Sequence, residues 1–352
     1  MAPLTTVDEH VTRASIAVII PFYNGAAWIE RAIKSVVAQS VQADEFIIVN
    51  DGSEQTERDI LGQLALIYSF QIIDKQNGGQ GSARNAGVNA TKSEYISLLD
   101  QDDFYLINHI RDLVGVLPKD DPRVGYVYAD LCEAEEDGSI VCSNMLRRLP
   151  AKHPKRGHVV HLVGYDMFVL PSASLIVRTA FEAIGGFDEQ FTGYEDDDFF
   201  LRLFRAGYTN YFLDKPVTVW CIHSASTSYG IKMSRSRLKY FKKLVSLYKD
   251  DASRELFYFR NSLMPRFGRQ IILESLRAAI LNSAQRPELS SILKEYAEFV
   301  YANPTVPLVK KLRLRFIAAI LIHAPSVVVK ILSSVNKRMN IVRRISAALV
   351  RA

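Results

Sequence analysis

Ser15-Ile16-Ala17-Val18-Ile19-Ile20-Pro21 and Glu45-Phe46-Ile47-Ile48-Val49-Asn50-Asp51 are two short apolar runs rich in β-branched residues, the first closed by proline and the second by a polar turn. Between them, Ala27 to Ala38 places Ile29, Ala32, Ile33, Val36 and Val37 at helical spacing. Apolar residues recurring in that pattern line one face of a helix, whereas short unbroken apolar runs mark strands buried on both sides. The stretch predicts strand, helix, strand.

Working outward, Phe70 to Asp74 reads as a strand, Ser82 to Ala90 as a helix and Glu94 to Leu99 as a strand. Alternation of this kind defines an α/β fold with a parallel sheet covered by helices on both faces. Ligands of such sheets sit beyond the carboxyl ends of the strands. Three polar loops fall there: Pro21-Phe22-Tyr23-Asn24, Asn50-Asp51-Gly52-Ser53 and Asp100-Gln101-Asp102-Asp103.

Past Val124 the pattern changes. Glu133 to Ser139, with Asp137-Gly138, predicts a hairpin turn. Residues 143 to 165 are basic and irregular and read as a mobile loop; Met167 to Val177 is expected to be a strand, followed by a short helix. A helix is expected from Glu195 to Ala206, and two strands near Asn210 to Leu213 and Val217 to His223. From Ile231 glycine is almost absent and the pattern is helical. The expected organisation is an extension (1–14), a catalytic domain (15–230) and a basic helical region (231–352).

The composition is that of a globular chain: 352 residues, 48% hydrophobic and 23% charged. Cys132, Cys142 and Cys221 form no CxxC pair and are odd in number, against a disulfide framework or structural zinc and in keeping with a reducing cytoplasm. The first residues lack the basic-then-apolar order of a secretory signal. The longest apolar stretch, Phe316 to Val329, contains His323 and Pro325 and falls short of the roughly 20 residues that cross a bilayer.

Asp100, Asp102 and Asp103 place three carboxylates after a buried strand without a neighbouring cation in sequence, so they would repel one another unless a positive partner is supplied. Mg²⁺ or Mn²⁺ bridging to a diphosphate fits this need; a solvated acidic turn capping a helix near Leu106 fits the same residues. Glu195-Asp196-Asp197-Asp198 opens a helix where carboxylates complement the macrodipole. Four in a row exceed what capping requires, and one held near a substrate hydroxyl would serve as a general base. Asn77 to Asn85 is a glycine-rich helix entry suited to a phosphate, or a loop that merely turns. It fails the dinucleotide pattern because Arg84 stands where the third glycine would fall. His223 follows an apolar strand and matters if that loop returns to the acidic run.

Together VIIPFYNG (18–25), IIVNDGS (47–53), NGGQGSARNAG (77–87), LLDQDD (98–103), GGFDEQF (185–191) and GYEDDDFFLRLFRAGY (193–208) resemble the family 2 glycosyltransferases, in the expected order over about residues 15 to 228. The resemblance implies a GT-A type, Rossmann-like mixed sheet flanked by helices, followed by a C-terminal helical region. It implies an inverting transfer from a nucleotide-sugar, by family habit a UDP-sugar. Donor contacts would come from Pro21, Tyr23, Asp51, Arg84, Asp100 and Gln101, with Tyr23 and Asp51 at the base and Asp100 at the ribose or sugar. Asp102, with His223, would hold Mn²⁺ or Mg²⁺; Asp196 would be the catalytic base and Glu195 would contact the acceptor or hold the base. Asn50 stands where many relatives have Asp, Asp197 competes with Asp196 for the base role, and Asp103 has no distinct role.

From Thr305 to Ala352 there are ten Lys/Arg and no Asp or Glu, leaving 33 basic against 38 acidic residues in positions 1 to 304. With Leu, Ile and Val between them, these cations suit an anionic membrane surface, at about 1 kcal/mol per cation near the headgroups. A helical appendage that packs on the catalytic domain or mediates oligomerisation is the alternative. Nucleic-acid binding is not expected, with Phe316 the single aromatic. The resulting expectation is a peripheral enzyme on the inner face of a bacterial membrane that glycosylates a glycan or lipid-linked acceptor in surface polysaccharide synthesis. Competing readings are a sugar nucleotidyltransferase, whose triphosphate-binding signature is missing from Pro21 to Ala27, and a non-catalytic sugar-binding scaffold.

Overall fold

A computed structural model describes residues 14–149, 152–223 and 230–334. Most of the extension at 1–14, the loop after His223 and the part of the basic tail from 335 to 352 lie outside the described residues. Dividing the chain at 156/157, 166/167 and 224/225 gives two compact units.

The first unit is built on a mixed sheet of nine strands among the described residues. It opens with β1 (Ile16–Phe22), α1 (Ala26–Val37), β2 (Glu45–Asn50), α2 (Gln55–Ile67), β3 (Gln71–Asp74), α3 (Gln80–Asn89) and β4 (Tyr95–Leu98). β5 (Phe104–Tyr105), α4 (His109–Val114), β6 (Val124–Glu135) and β7 (Ile140–Cys142) follow. After α5 (Val159–Gly164), which belongs to the second unit, come β8 (Ser174–Val177), α6 (Arg178–Ala183), α7 (Glu195–Arg205) and β9 (Thr209–Ile222). The order is β3-β2-β1-β4-β8-β6-β9-β5, with β7 on β6.

β1 pairs in parallel with β2 and β4, and β2 with β3, as the strand-helix alternation predicts. All seven residues of β1 are buried, so both its faces are covered. Ile16, Val18, Ile20 and Phe22 share one core with Ile29, Ala32, Ile33 and Val36 of α1 and Leu61 of α2. Ile19 faces the opposite way, toward α3, where Gly87 allows a close approach: a Cβ there would stand 2.4 Å from the Ile19 side chain. Substituting Gly87 would lift α3 off the sheet.

Several expectations are corrected. The sheet is parallel from β3 through β4, β8 then runs antiparallel to β4 and β6, and β6 and β9 are again parallel, so the all-parallel pattern of the first strands gives way to the mixed sheet that the resemblance implies. The strand expected from Met167 shrinks to β8, because Pro171 to Ala173 form a 3₁₀ turn and the Met167 amide is taken by the Asp197 carboxylate at 2.7 Å. The two strands expected near 210 and 217 are one, parallel to β6. Pro216, opposite Asp130, is absorbed in a register shift instead of breaking the strand. The helix expected near Leu106 begins at His109 because Phe104 and Tyr105 pair with β9 first. Segment 143–165, expected as a loop, contains a 3₁₀ turn (Leu146–Arg148) and α5. The hairpin at 133–139 is present as β6 and β7.

The second unit contains α5, α8 (Ile231–Leu247), α9 (Met264–Leu281), α10 (Arg286–Ala302) and α11 (Leu308–His323). Phe241 of α8 packs its ring against Phe267 of α9 and against Tyr296 and Phe299 of α10, with centroids 5.2–5.6 Å apart. Arg266 binds Asp166 at 2.8 Å, tying α9 to the segment after α5. No helix among the described residues is long and apolar enough to cross a membrane.

Candidate active site

The carboxyl ends of β1, β2 and β4 bring the polar loops to one edge of the first unit. The buried Asp51 carboxylate accepts hydrogen bonds from the Gly78 and Gly79 amides at 2.9 and 2.8 Å and pairs with Lys75 at 2.6 Å. It thereby fixes the glycine loop that leads into α3. Gly52, at φ 73°, turns the chain where a Cβ would stand 2.8 Å from the Asn77 amide. Asn50 donates to Asp74 at 2.8 Å and accepts from the Ser53 amide, holding the same turn.

Tyr23 is exposed, and its backbone makes a reciprocal pair of hydrogen bonds with the Gln101 side chain at 2.8 and 3.2 Å. That contact joins the loop after β1 to the acidic run. Pro21 is a buried member of β1, opposite Val49, and shapes this loop from within the sheet.

Arg84, within the glycine-rich stretch, is only 1% exposed. Its guanidinium binds Asp100 at 2.6 Å and Glu195 at 3.2 Å and lies 5.2 Å from the Phe187 ring centroid. Asp100 also accepts from Gln80 at 2.7 Å. One buried cation thus links the run after β4 to the start of α7. Glu195 Oε2 and Arg84 Nε are buried with no hydrogen-bond partner among the described residues.

Along α7 the four carboxylates separate by environment. Asp198 pairs with Arg202 at 2.7 Å, and Arg202 continues to the carbonyls of Ile184 and Gly186. Asp197 holds the Met167 amide. Glu195 is raised above the usual carboxylate range by burial, with Arg84 opposing. Asp196, half-buried, is pushed up to about 7 by burial and by the neighbouring Glu195 charge. A carboxyl in that range exchanges its proton near neutral pH.

Asp102 meets His223 at 2.8 Å, Oδ2 to Nε2, so the loop after β9 does return to the acidic run. The His223 ring stacks on Trp28 of α1, with centroids 4.4 Å apart. Burial and the Asp100 charge raise the Asp102 carboxyl. Among the described residues no group of three or more His, Cys, Asp or Glu gathers for a metal. A carboxylate oxygen and an imidazole nitrogen nonetheless fit a divalent ion that takes its remaining ligands from phosphate and water, the habit of Mg²⁺ and Mn²⁺.

Asp103 diverges from its neighbours. It is 2% exposed, accepts from the Cys221 amide at 3.0 Å and is raised far above the usual carboxylate range by burial and by the Asp102 charge. It is a structural tie between the acidic run and β9. Asp103→Ala leaves the Cys221 amide buried without its acceptor, an expected loss of about 1–3 kcal/mol in chemical denaturation. Asp103→Asn, which keeps an acceptor oxygen, should lose less.

Residues outside the sequence motifs complete the site. Arg31 of α1 donates to the Asp102 carbonyl at 2.9 Å and to the Glu136 carbonyl at 2.8 Å, bracing the acidic run against the β6–β7 turn. The Ser172 hydroxyl oxygen accepts from the Asp100 amide at 3.1 Å. Trp28, Arg31, Lys75 and Ser172 carry no local pattern that marks them, and Gln80 lies within the glycine-rich motif without being singled out by it.

A model of the family described as Glycosyl transferase family 2 matches residues 17–184, and one described as N-terminal domain of galactosyltransferase matches 169–224. An uncharacterized glycosyltransferase of Rickettsia prowazekii is 32% identical over 227 residues, covering 62% of this chain and 68% of that protein. One of Rickettsia conorii is 34% identical over 203 residues, covering 54% of this chain but only 31% of its own length. Among solved structures, Staphylococcus aureus TarS 1–349 in complex with UDP-GlcNAc superposes with a TM-score of 0.57 at 15% identity, covering 88% of each chain. Mannosyltransferase PcManGT of Pyrobaculum calidifontis, in complex with GDP-Man and Mn²⁺, gives 0.50 at 16% identity, covering 91% of this chain and 90% of the other. The sheet and its flanking helices form a GT-A type fold. The chain belongs to glycosyltransferase family 2.

Proposed function

We propose that this chain is an inverting, metal-dependent glycosyltransferase that moves a sugar from a UDP-sugar to a hydroxyl of a glycan or lipid-linked acceptor, working on the inner face of a bacterial membrane in surface polysaccharide synthesis. The observation that carries the catalytic part is Asp196: its neighbours Asp197 and Asp198 are tied to Met167 and Arg202, whereas its own carboxyl is half-buried and poised at about 7. The donor class is supported by the UDP-GlcNAc and GDP-Man complexes of the structural relatives. Family membership disfavours the nucleotidyltransferase reading.

In this reading Tyr23, Asp51 and Gln101 line the nucleotide side, and Asp100, held by Arg84, orients the ribose or sugar. Asp102 and His223 would hold Mn²⁺ or Mg²⁺, which supplies positive charge against the departing nucleoside diphosphate. Asp196 takes the proton of the acceptor hydroxyl as that oxygen attacks the anomeric carbon. The bond to the diphosphate breaks on the opposite side, so the configuration inverts in one displacement. Glu195, fixed by Arg84, keeps the base in place.

A panel of nucleotide-sugars, screened for hydrolysis and for protection against thermal unfolding with Mn²⁺, with Mg²⁺ and with EDTA, tests the proposal. A UDP-sugar should protect strongly only when metal is present, and Asp102→Ala should abolish that dependence. Equal turnover in EDTA would remove the metal from the mechanism, and the absence of any responding donor would overturn the reading.

A further inference from the structure

The outer face of α11 has no role in the chemistry above. Leu314, Ala318 and Leu321 are buried and turn one side of this helix inward. Leu308, Val309, Leu312 and Phe316 are exposed, Val309 by 77% and Phe316 by 69%. At about 100° per residue these four positions fall within one stripe roughly 100° wide, well separated from the buried side. Arg315 and Arg313 flank the stripe on its two edges, and Lys310 and Lys311 lie between those edges and the buried side.

Exposed apolar side chains continue beyond the helix at Val327, Val328, Ile331 and Leu332, with Lys330 among them. From 308 to 334 there are five Lys or Arg and no Asp or Glu. A solvated helix face has little reason to expose leucine, valine and phenylalanine side by side. A contact with an acidic protein would match the charge, but it would not call for so continuous an apolar stripe. An apolar stripe edged by cations matches a layer that is apolar within and anionic at its surface.

We propose that α11 lies in the headgroup layer of an anionic bilayer, with Leu308, Val309, Leu312 and Phe316 inserted among the acyl chains and Arg313 and Arg315 at the phosphates. This rests on and deepens the membrane placement proposed above; because the surface is independent of donor chemistry, its failure would leave the transfer reaction itself standing.

The test is sedimentation of the full chain with vesicles of phosphatidylcholine alone or mixed with phosphatidylglycerol, in low and high salt, without donor or metal. Binding should require phosphatidylglycerol and weaken with salt. Leu312→Glu/Phe316→Glu should bind at least tenfold more weakly, by about 1.4 kcal/mol or more, with an unchanged far-ultraviolet spectrum because both positions are exposed. Arg313→Gln/Arg315→Gln should reduce binding and its salt dependence together. Undiminished binding by the double glutamate variant would overturn the proposal, as would equal binding to phosphatidylcholine alone. A wild-type chain that ignores vesicles but dimerises, and becomes monomeric on the glutamate substitutions, would assign the face to a second copy instead.

Discussion

Asp196→Asn should lower kcat by about 10³-fold while leaving donor affinity nearly unchanged. Asparagine keeps the oxygen that accepts the Asp197 amide at 2.8 Å, so the start of α7 is preserved and only the proton acceptor is lost. For the wild type, kcat/KM should fall below pH about 7, one proton per active site, because a base with its carboxyl at that value is neutralised on the acid side. The asparagine variant should lack this limb. Asp197→Asn keeps an acceptor for the Met167 amide and should retain most activity. If the two variants exchange these phenotypes, the base is Asp197.

The second large effect is expected at Arg84. Arg84→Met removes the cation between Asp100 and Glu195 and leaves two carboxylates facing each other, one of them buried. Removing one partner of a buried charge network costs about 3–5 kcal/mol. Trp28 and Trp220 both lie in the first unit, so their fluorescence during urea unfolding reports the loss where it occurs. Arg84→Lys should fall between wild type and Met, since an ammonium cannot span both carboxylates as the guanidinium fork does. A Met variant as stable as the wild type would mean that the carboxylates are protonated together or separated by relaxation.

The first half of the sheet was legible because β1 and β2 are runs rich in buried β-branched residues and β4 leads into the apolar pair Leu98-Leu99, patterns that do not depend on partners. α2 escaped because only Leu61 and Leu64 of its thirteen residues are buried, too few to print an amphipathic pattern. β5 escaped because two residues carry no period, and their pairing with β9 is decided by chain more than a hundred positions away. Pro216 reads locally as a strand end, and only the alignment with Asp130 turns it into an irregularity.

At the site, the spacing of the motifs marked the loops but not the division of labour within them. Asp102 and Asp103 are indistinguishable as neighbours in sequence; strand geometry sends one toward His223 and the other toward the Cys221 amide. Arg84 was legible as the residue that spoils a dinucleotide pattern. Its service to Asp100 and Glu195 depends on α7 arriving over α3. Trp28 and Arg31 look like ordinary members of an amphipathic helix, and what they touch lies in segments brought close only by the complete sheet.

The contact between Asp102 and His223 bridges 121 positions, and β9 must register along β6 before it can form. The loops at 51 and 77 close on each other over 26 to 28 positions, whereas the histidine meets the acidic run across 121, a contact of far higher sequence separation. A chain synthesised only to the end of β4 already contains the residues that close those two loops, but not the imidazole. A nascent chain ending before β9 therefore holds Asp102 without the imidazole that it meets in the complete unit.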